Sequence, residues 1–315
     1  MILPDAFHTG ELEAQRRAGG GPRGHGIRDH MPDQHRQFFE TLPYAVLAAL
    51  DPLGQPVATL ITGEPGFIAA PNPLTLSIAT VLHPQDPVRA GLAPAAPFGL
   101  LGLDLATRRR NRANGRVAAA TSANYWLVVD QSFGNCPQYI QRREPYDAVR
   151  TPGGLEVLTG LDADARTQVL AADTFFVATA ALGPNGGVDV SHRGGRSGFV
   201  AIEGEALVIP DFPGNRYFNT LGNLLAYPRA GLLFVDFETG DLLHLQGSAE
   251  VLWDADADAS GFAGSQRVWR LTVDGGWRRR AAAPLAWTYV EESPVSAATG
   301  RWPATARDGK LSLMP

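Results

Sequence analysis

The chain resembles itself when its sequence is shifted by 132 positions, the separation of Leu50 from Leu182. The segment Leu50–Gly54 then aligns with Leu182–Gly186, and Gly99–Leu101 aligns with Gly231–Leu233. No gap is needed between residues 50 and 115. One offset shared by several separate segments indicates a duplicated structural unit rather than chance matching. We therefore expect two copies of one fold in tandem.

Each copy is predicted to be a series of short strands joined by turns. Aliphatic and partly β-branched runs, Tyr44–Leu50 and Phe175–Leu182, are each followed by a Pro-x-Gly turn and a second extended run. The chain has 35 glycines and 24 prolines, a density that favours short strands over long helices. Strands spaced by roughly ten residues are typical of a small closed barrel. We expect about six strands in each barrel and a helix inserted within Asn215–Ala226.

The regions that flank the barrels divide the chain into four parts. The predicted parts are an N-terminal extension (1–43), a first barrel (44–165), a second barrel (166–300) and a tail (301–315). Within them, Met31–Leu42 has helical character, and Asp162 is a plausible N-cap for a helix before the second barrel.

Charge and composition argue against several classes of protein. The net charge is −5 and the pI is about 5.8, values that do not fit a protein that mainly coats nucleic acid. Five arginines lie between Arg108 and Arg116, and a hairpin whose arginines alternate between two faces is favoured over a nucleic-acid site.

No apolar run approaches the roughly 18 residues of a membrane helix, and no secretory signal is visible. Cys136 is the only cysteine, so a reducing, cytoplasmic setting is expected.

Several motifs resemble one family of flavoproteins. The segment Gln131–Arg142, with Asn135-Cys136-Pro137 at its centre, is similar to the Asn/His-Cys-Pro-Lys-x-Ile-x-Arg signature of the pyridoxamine 5′-phosphate oxidase-like flavoproteins. Ser191–Arg196 and the passage from Pro213 to Phe234 also resemble this family. The resemblance extends from about residue 7 to residue 294.

The resemblance implies a mainly β fold of two tandem FMN-binding split β-barrels. Each would be a six-stranded Greek-key barrel with an inserted helix. In the family, two barrels, usually from two subunits, pack face to face with FMN in the groove between them. A chain with both barrels would form an intrachain pseudo-dimer, either as a monomer or within a homodimer.

The resemblance also implies the residues that hold FMN. A flavin-facing strand would contribute main-chain and side-chain groups, the start of the inserted helix would hold the phosphate, and the first barrel would close the groove. The expected cofactor-binding residues are Val190, Ser191, His192, Arg193, Arg196, Asn215, Arg216, Asn219, Asn135, Cys136 and Arg142.

The charges of the two repeats differ at the predicted phosphate site. Lys310 is the only lysine, so an anion site must use arginine, helix N-termini or backbone amides. Shifting the sequence back by 132 positions replaces each predicted phosphate-binding arginine with a residue that is not a cation. The aligned pairs are Arg193 with Ile61, Arg196 with Glu64, and Arg216 with Pro84. We therefore expect one FMN per chain, held mainly by the second repeat.

The resemblance favours an FMN-dependent oxidoreductase that acts on a small-molecule substrate, with NAD(P)H as a candidate electron donor. The alternative is a non-catalytic protein that carries or senses a flavin or another phosphorylated ligand. No catalytic residue is assigned. His25, Asp29, His30, Asp33 and His35 are of types that can bind metals, but their spacing matches no known motif, and no metal site is predicted.

Overall fold

The structure is a computed structural model that describes residues 6–253, 262–300 and 302. Five α-helices and seventeen strands lie in these ranges, and none of these helices is long and apolar enough to cross a membrane. The helices are α1 (Thr9–Arg17), α2 (Asp33–Thr41), α3 (Pro87–Gly91), α4 (Ala163–Ala171) and α5 (Asn219–Ala226). The strands are β1 (Tyr44–Leu50), β2 (Pro56–Thr62), β3 (Ile68–Asn72), β4 (Thr75–Ala79), β5 (Pro97–Asp104), β6 (Arg109–Ala120), β7 (Asn124–Gly134), β8 (Arg142–Asp147), β9 (Leu155–Leu158), β10 (Thr174–Ala181), β11 (Gly187–Gly194), β12 (Ala201–Glu203), β13 (Ala206–Asp211), β14 (Arg229–Val235), β15 (Leu242–Leu252), β16 (Arg267–Arg279) and β17 (Leu285–Glu291).

Two antiparallel sheets have the same strand order. The first sheet runs β2-β1-β5-β6-β7-β4-β3, and the second runs β11-β10-β14-β15-β16-β13-β12. Each strand of the second sheet therefore takes the place of one strand of the first. We call the part of the chain that contains the first sheet the first unit, and the part with the second sheet the second unit. The fold is mainly β, with two split-barrel units in one chain.

Strand β1 is apolar along its whole length because it packs on both faces. Ala45, Leu47 and Ala49 face the core inside the first unit, whereas Tyr44 and Val46 face a second core between the units. Strand β10 is likewise buried on both faces. One face packs in the core inside the second unit, and the other packs in the core between the units. A strand buried on both sides requires a continuous hydrophobic run rather than strict alternation, and both strands have one.

Two glycines allow the units to approach closely at related places. A Cβ atom added to Gly99 on β5 would lie 2.9 Å from the carbonyl oxygen of Val188 on β11. A Cβ atom added to Gly231 on β14 would lie 2.1 Å from the carbonyl oxygen of Pro56 on β2. These two contacts are reciprocal, as in the interface of a two-fold dimer. The units thus pack with pseudo-two-fold symmetry inside one chain.

Local predictions agree with the structure in several places and need correction in others. Asp162 caps α4, because its Oδ1 accepts a hydrogen bond from the Ala165 amide at 2.7 Å. Helix α2 lies within the predicted Met31–Leu42. The inserted helix α5 begins only at Asn219, and the two sheets have seven and eight strands, where about six per barrel are expected. The domain boundaries remain a prediction.

Four elements outside the shared strand order have no counterpart in the sequence analysis. Helix α1 lies in the N-terminal extension and packs on α5 of the second unit. Strands β8 and β17 form a separate two-stranded sheet. Strand β9 pairs with β16 of the second sheet.

Candidate functional site

A cavity lies between the two units, beside the carboxyl-terminal half of β11. It is called the cationic cavity below. Strand β6 and the segment after β7 line it from the first unit, and β11, the segment after β13 and the start of α5 line it from the second. Its lining residues include Arg110, Arg112, Asn135, Cys136, Tyr139, Ser191, His192, Arg193, Phe212, Asn215, Arg216, Phe218, Asn219 and Thr220.

Arg112 connects the two units at the edge of this cavity. Its Nη1 donates to both carboxylate oxygens of Asp189 on β11, at 3.1 and 3.0 Å, and its Nη2 donates to Ser191 Oγ at 2.6 Å. Arg112 and Asp189 are 5% and 4% exposed. Contacts from two guanidinium nitrogens, one to the Asp189 carboxylate and one to the Ser191 hydroxyl, fix the guanidinium plane. The charge of Arg112 is therefore balanced within the protein.

Arg110 lies two residues before Arg112 on the same face of β6 and has no such balance. Its Nε donates to the carbonyl oxygen of Cys136 at 2.9 Å, and no carboxylate of the described residues forms an ion pair with it. Burial, together with the neighbouring Arg112 and Arg193, lowers the pKa of Arg110 to about 9. The guanidinium remains charged at neutral pH and lacks a counter-ion inside the described protein.

His192 lies beside Arg110 and is neutral at physiological pH. Burial lowers the pKa of His192 well below its usual value, and the nearby charge of Arg110 lowers it further. The ring is 5% exposed, and its Nε2 has no hydrogen-bond partner among the described residues. Asn135 Oδ1 is likewise buried without a partner. Buried polar atoms without partners are rare in folded proteins, and these two lie in residues that line one cavity.

Arg193 adds a further positive charge. Its Nη1 donates to Asp211 Oδ1 at 2.7 Å, while Arg267 donates to the other oxygen of the same carboxylate at 3.0 Å. Two arginines thus share one acid, and Arg193 Nε is buried without a hydrogen-bond partner within the described ranges. With Arg110 also uncompensated, the cavity has an excess of positive charge.

The N-terminus of α5 lies at the lining of the cavity. Its N-cap residue, Phe218, has a left-handed backbone (φ 60°), and no side chain in the described part of the chain caps the helix. The first amides of a helix have no intrahelical acceptor, and Asn219 and Thr220 both line the cavity. Arg216 donates a hydrogen bond to the Ala18 carbonyl at the end of α1. A helix start beside arginines favours an anionic ligand.

Glu11 of α1 contacts the first residue of α5. Its Oε1 accepts a hydrogen bond from Asn219 Nδ2 at 2.5 Å, and its Oε2 accepts one from the amide of His8 at 2.9 Å. Burial raises the pKa of Glu11 to about 7. The N-terminal extension therefore places a carboxyl group that titrates near neutral pH next to the candidate site.

Eight of the eleven predicted cofactor-binding residues line the cationic cavity. They are Ser191, His192, Arg193, Asn215, Arg216, Asn219, Asn135 and Cys136. The structure does not bring the other three to its lining. Val190 is buried in the core between the units, Arg196 pairs with Glu292 at 2.9 Å, and Arg142 pairs with Glu144 at 3.3 Å.

The sequence analysis did not place Arg110 and Arg112 among the cofactor-binding residues. Their spacing could have identified them as a pair on one face, because residues i and i+2 of a strand point to the same side. Arg109 points elsewhere and lies over the ring of Phe38, with its guanidinium carbon 4.4 Å from the ring centroid. The arginines of β6 thus alternate between faces, as the favoured hairpin interpretation predicts.

The corresponding place in the first unit is closed to an anion. Helix α3 takes the position of the start of α5, and its N-cap is Asp86. Asp86 Oδ1 accepts from the Val88 amide at 3.0 Å and Oδ2 accepts from Thr59 Oγ1 at 2.6 Å. The carboxylate of the chain itself occupies this helix start. Under the repeat offset, Arg110 and Arg193 correspond to Leu242 and Ile61.

Four of the five candidate metal ligands in the N-terminal extension contact other groups, and Asp33 pairs with Arg36 at 3.0 Å. His30 Nδ1 lies 2.7 Å from Asp29 Oδ1, and His35 Nδ1 lies 2.8 Å from Ser132 Oγ. Within residues 6–253, 262–300 and 302, no group of three or more His, Cys, Asp or Glu side chains could hold a metal ion.

The fold and the cavity together define a split-barrel protein with a cationic cleft between two barrel units. Residues 161–280 match the family model described as pyridoxamine 5′-phosphate oxidase. The match covers most of the second unit, including β11, α5 and the second sheet. It confirms the family resemblance for this part of the chain. No curated protein matches the sequence.

Several solved structures are similar to part of the chain. HupZ of Group A Streptococcus is 13% identical, with a TM-score of 0.28, over 42% of this chain and 98% of that chain. An FAD-binding protein from Mesorhizobium loti is 18% identical, with a TM-score of 0.28, over 41% of this chain and 99% of that chain. A putative 5-nitroimidazole antibiotic resistance protein from Bacteroides thetaiotaomicron is 15% identical, with a TM-score of 0.29, over 43% of this chain and 95% of that chain. These likenesses are too distant to support an argument about this chain.

Proposed function

We propose that the protein binds one FMN per chain in the cationic cavity and is an oxidoreductase that acts on a small molecule. The observation that carries this proposal is Arg110, a guanidinium without a carboxylate partner in the described residues, beside the unpartnered His192 Nε2 and Asn135 Oδ1. A phosphate group has a charge of about −1.5 to −2 near pH 7 and strong acceptor oxygens. The cavity supplies the charge and the donors that such a ligand needs.

The residues of the cavity fit the two ends of FMN. Arg193, Arg216 and the uncapped start of α5 would hold the phosphate. The ring system would find hydrogen-bonding groups in His192 and Asn135, and aromatic neighbours in Tyr139 and Phe212, whose rings stack at 4.9 Å. Bound FMN supplies hydride and electron transfer chemistry. The role of the protein is to bind FMN and to orient it between the two units.

FMN and riboflavin, which lacks the phosphate, provide the first test. Titration of flavin fluorescence should show FMN binding at least about a hundredfold tighter than riboflavin, because charge-assisted contacts to the phosphate each contribute about 1.5–3 kcal/mol. In Arg193→Gln this preference should fall by about tenfold or more. Arg196→Gln is the matched control, since Arg196 pairs with Glu292 away from the cavity, and should leave FMN affinity unchanged. Equal affinity for the two flavins would refute the phosphate site.

Catalysis needs a separate measurement. The FMN-loaded protein should oxidise NADH or NADPH in air faster than the same concentration of free FMN. FMN binding without any such turnover, followed by failure of a panel of other donors, would favour the alternative of a flavin carrier or sensor. The binding proposal and the oxidoreductase proposal can thus fail independently.

A further inference from the structure

Cys136, the only cysteine of the chain, lies at the wall of the cationic cavity. It is half-buried, and its sulfur forms no hydrogen bond with the described residues. Cysteines that are chemically inert are typically buried in apolar surroundings. Cys136 instead stands among polar and charged residues that line the cavity. A small molecule bound in the cavity therefore meets this side chain.

Arg110 brings a positive charge and a free donor to the same part of the wall. Its Nε donates to the backbone carbonyl of Cys136 at 2.9 Å, and its charge interacts electrostatically with the Cys136 side chain. Its Nη2 forms no hydrogen bond with the described residues, which also give it no carboxylate partner. An anion bound to Arg110 would thus lie next to the thiol.

A buried imidazole adds a second donor beside Arg110. Arg110 Nη1 lies 3.5 Å from His192 Nδ1. A guanidinium can only donate, so Nδ1 is the acceptor and the proton of the neutral ring is on Nε2. This N–H has no acceptor among the described residues, although the residue is only 5% exposed. Such a buried donor indicates that a ligand supplies the missing acceptor.

The acid of the cavity does not oppose an anion there. Among the described lining residues, Asp211 is the only acid. Its two oxygens accept hydrogen bonds from Arg193 at 2.7 Å and from Arg267 at 3.0 Å. The surroundings of Cys136 therefore favour negatively charged reagents over neutral or positively charged ones.

We propose that Cys136 is a modification site for small anionic disulfides. A carboxylate of the disulfide binds Arg110 and brings a sulfur atom of the reagent to the thiol. The Cys136 thiolate attacks this sulfur, a disulfide forms between protein and reagent, and the S–S bond of the reagent breaks. The other half of the reagent leaves as a thiolate. The disulfide is itself the oxidant, so this step does not depend on the proposed flavin.

Three small disulfides of similar length and different charge test the site. Cys136 is the only cysteine, so the intact mass of the full-length protein reports modification at this residue alone. Each rate is measured at about pH 8, where part of an ordinary thiol is ionised, and is divided by the rate with free N-acetylcysteine.

Dithiodipropionate, which has two carboxylates, should react at least about tenfold faster than neutral hydroxyethyl disulfide, because only the former can bind Arg110. Cystamine, which has two ammonium groups, should be the slowest. Equal normalised rates for the three reagents, or no modification by dithiodipropionate, would overturn the proposal.

A variant tests the role of the guanidinium. Arg110→Gln should remove the preference for dithiodipropionate over hydroxyethyl disulfide, since the carboxylate loses its cation. Arg109→Gln is the matched control, because the neighbouring Arg109 points to the other face of β6 and lies over Phe38. It should keep the preference of the parent. A folded Arg110→Gln protein with the same preference as the parent would contradict the site.

The modification should exclude FMN, and this part rests on the proposed function, because both ligands would occupy the cationic cavity. Saturating FMN should slow the reaction with dithiodipropionate by at least about tenfold, and the modified protein should bind FMN at least about tenfold more weakly. If FMN binds but gives no protection, the exclusion is wrong and the proposed flavin site stands. If FMN does not bind, the proposed function fails, while the charge preference of Cys136 is still tested by the three disulfides.

Discussion

Arg112 of the first unit and Asp189 of the second form a buried ion pair that crosses the interface between the units. The contact has no counterpart on the other side of the pseudo-two-fold axis, where the repeat offset places His244 and Val57. Burial lowers the pKa of His244 to about 3, so it is neutral there. The pair of positions that holds an ion pair beside the cationic cavity is thus uncharged on the other side of the axis.

Loss of Arg112 should strongly destabilise the protein. Arg112→Gln leaves the Asp189 carboxylate buried without its cation, and breaking a buried pair in this way costs about 3–5 kcal/mol. The free energy of unfolding from urea titration measures the effect. Arg116→Gln is the control, because Arg116 is exposed and 3.9 Å from Asp130, and should change stability by less than about 0.5 kcal/mol. Equal stability of the two variants would contradict the structural role of the pair.

The close approach at Gly231 should make this position intolerant of a side chain. In Gly231→Ala the new methyl group meets the Pro56 carbonyl across the interface, and we expect a loss of roughly 2–3 kcal/mol in urea titration. Gly154→Ala should be nearly neutral, since a Cβ atom there meets no heavy atom within 4 Å. A neutral Gly231→Ala would mean that the units do not pack at this distance.

The raised pKa of Glu11 should make stability depend on pH. A carboxyl whose pKa rises from about 4.5 in the unfolded chain to about 7 in the folded protein binds its proton more tightly when folded. The contribution of Glu11 to the free energy of unfolding is therefore fully present below pH 4.5 and is lost as the pH rises to 7. The parent should lose roughly 3 kcal/mol relative to Glu11→Gln between pH 4.5 and 8.

Comparison with the variant isolates Glu11 from His8, whose lowered pKa acts in the opposite direction. Glu13→Gln on the same helix is the control. Bonds to Arg16 and Arg17 lower the pKa of Glu13 to about 2 in the folded protein, so above about pH 6 Glu13 is ionised in both the folded and the unfolded chain and adds no pH dependence there. If the parent and Glu11→Gln showed the same dependence of stability on pH, the raised pKa of Glu11 would be contradicted.

Arg216 should contribute to FMN affinity without a large effect on stability. It is exposed, and its only side-chain hydrogen bond among the described residues is to the Ala18 carbonyl. Arg216→Ala should bind FMN about tenfold more weakly, while riboflavin binding stays the same, because the lost contact is to the phosphate. Arg216→Lys keeps the charge and should retain most of the affinity. Unchanged FMN affinity in Arg216→Ala would show that the phosphate lies elsewhere in the cavity.

Much of the architecture follows from local sequence patterns. Runs such as Tyr44–Leu50 identify strands buried on both faces, and Asp162 identifies a helix start because a carboxylate there accepts from free amides. The offset of 132 holds as far as β6 and β15 and then fails, since β7 and β16 begin 143 residues apart, at Asn124 and Arg267. The strands beyond six in each sheet were missed because strand counts within long hairpins depend on pairing that spacing alone does not determine.

The candidate site was predictable only in part for a physical reason. Residues near the family motifs, such as Arg193 and Arg216, could be identified because they stand in recognisable segments. Arg196 belongs to the same segment, yet Glu292 from a distant part of the chain draws it away from the cavity. Arg110 contributes because the first unit packs against the second, and Glu11 because α1 packs on α5. Such contacts join residues far apart in the sequence, and no local pattern encodes them.

The number of flavins per chain tests the central claim most directly. The purified protein should be saturated with FMN and freed of excess by gel filtration, and its visible absorption should be compared with its protein concentration. The account predicts one equivalent of FMN per chain, because Asp86 caps the corresponding helix start in the first unit and Ile61 and Leu242 stand where the second site has Arg193 and Arg110. Two equivalents would contradict the asymmetry of the two units, and none would contradict the flavin site itself.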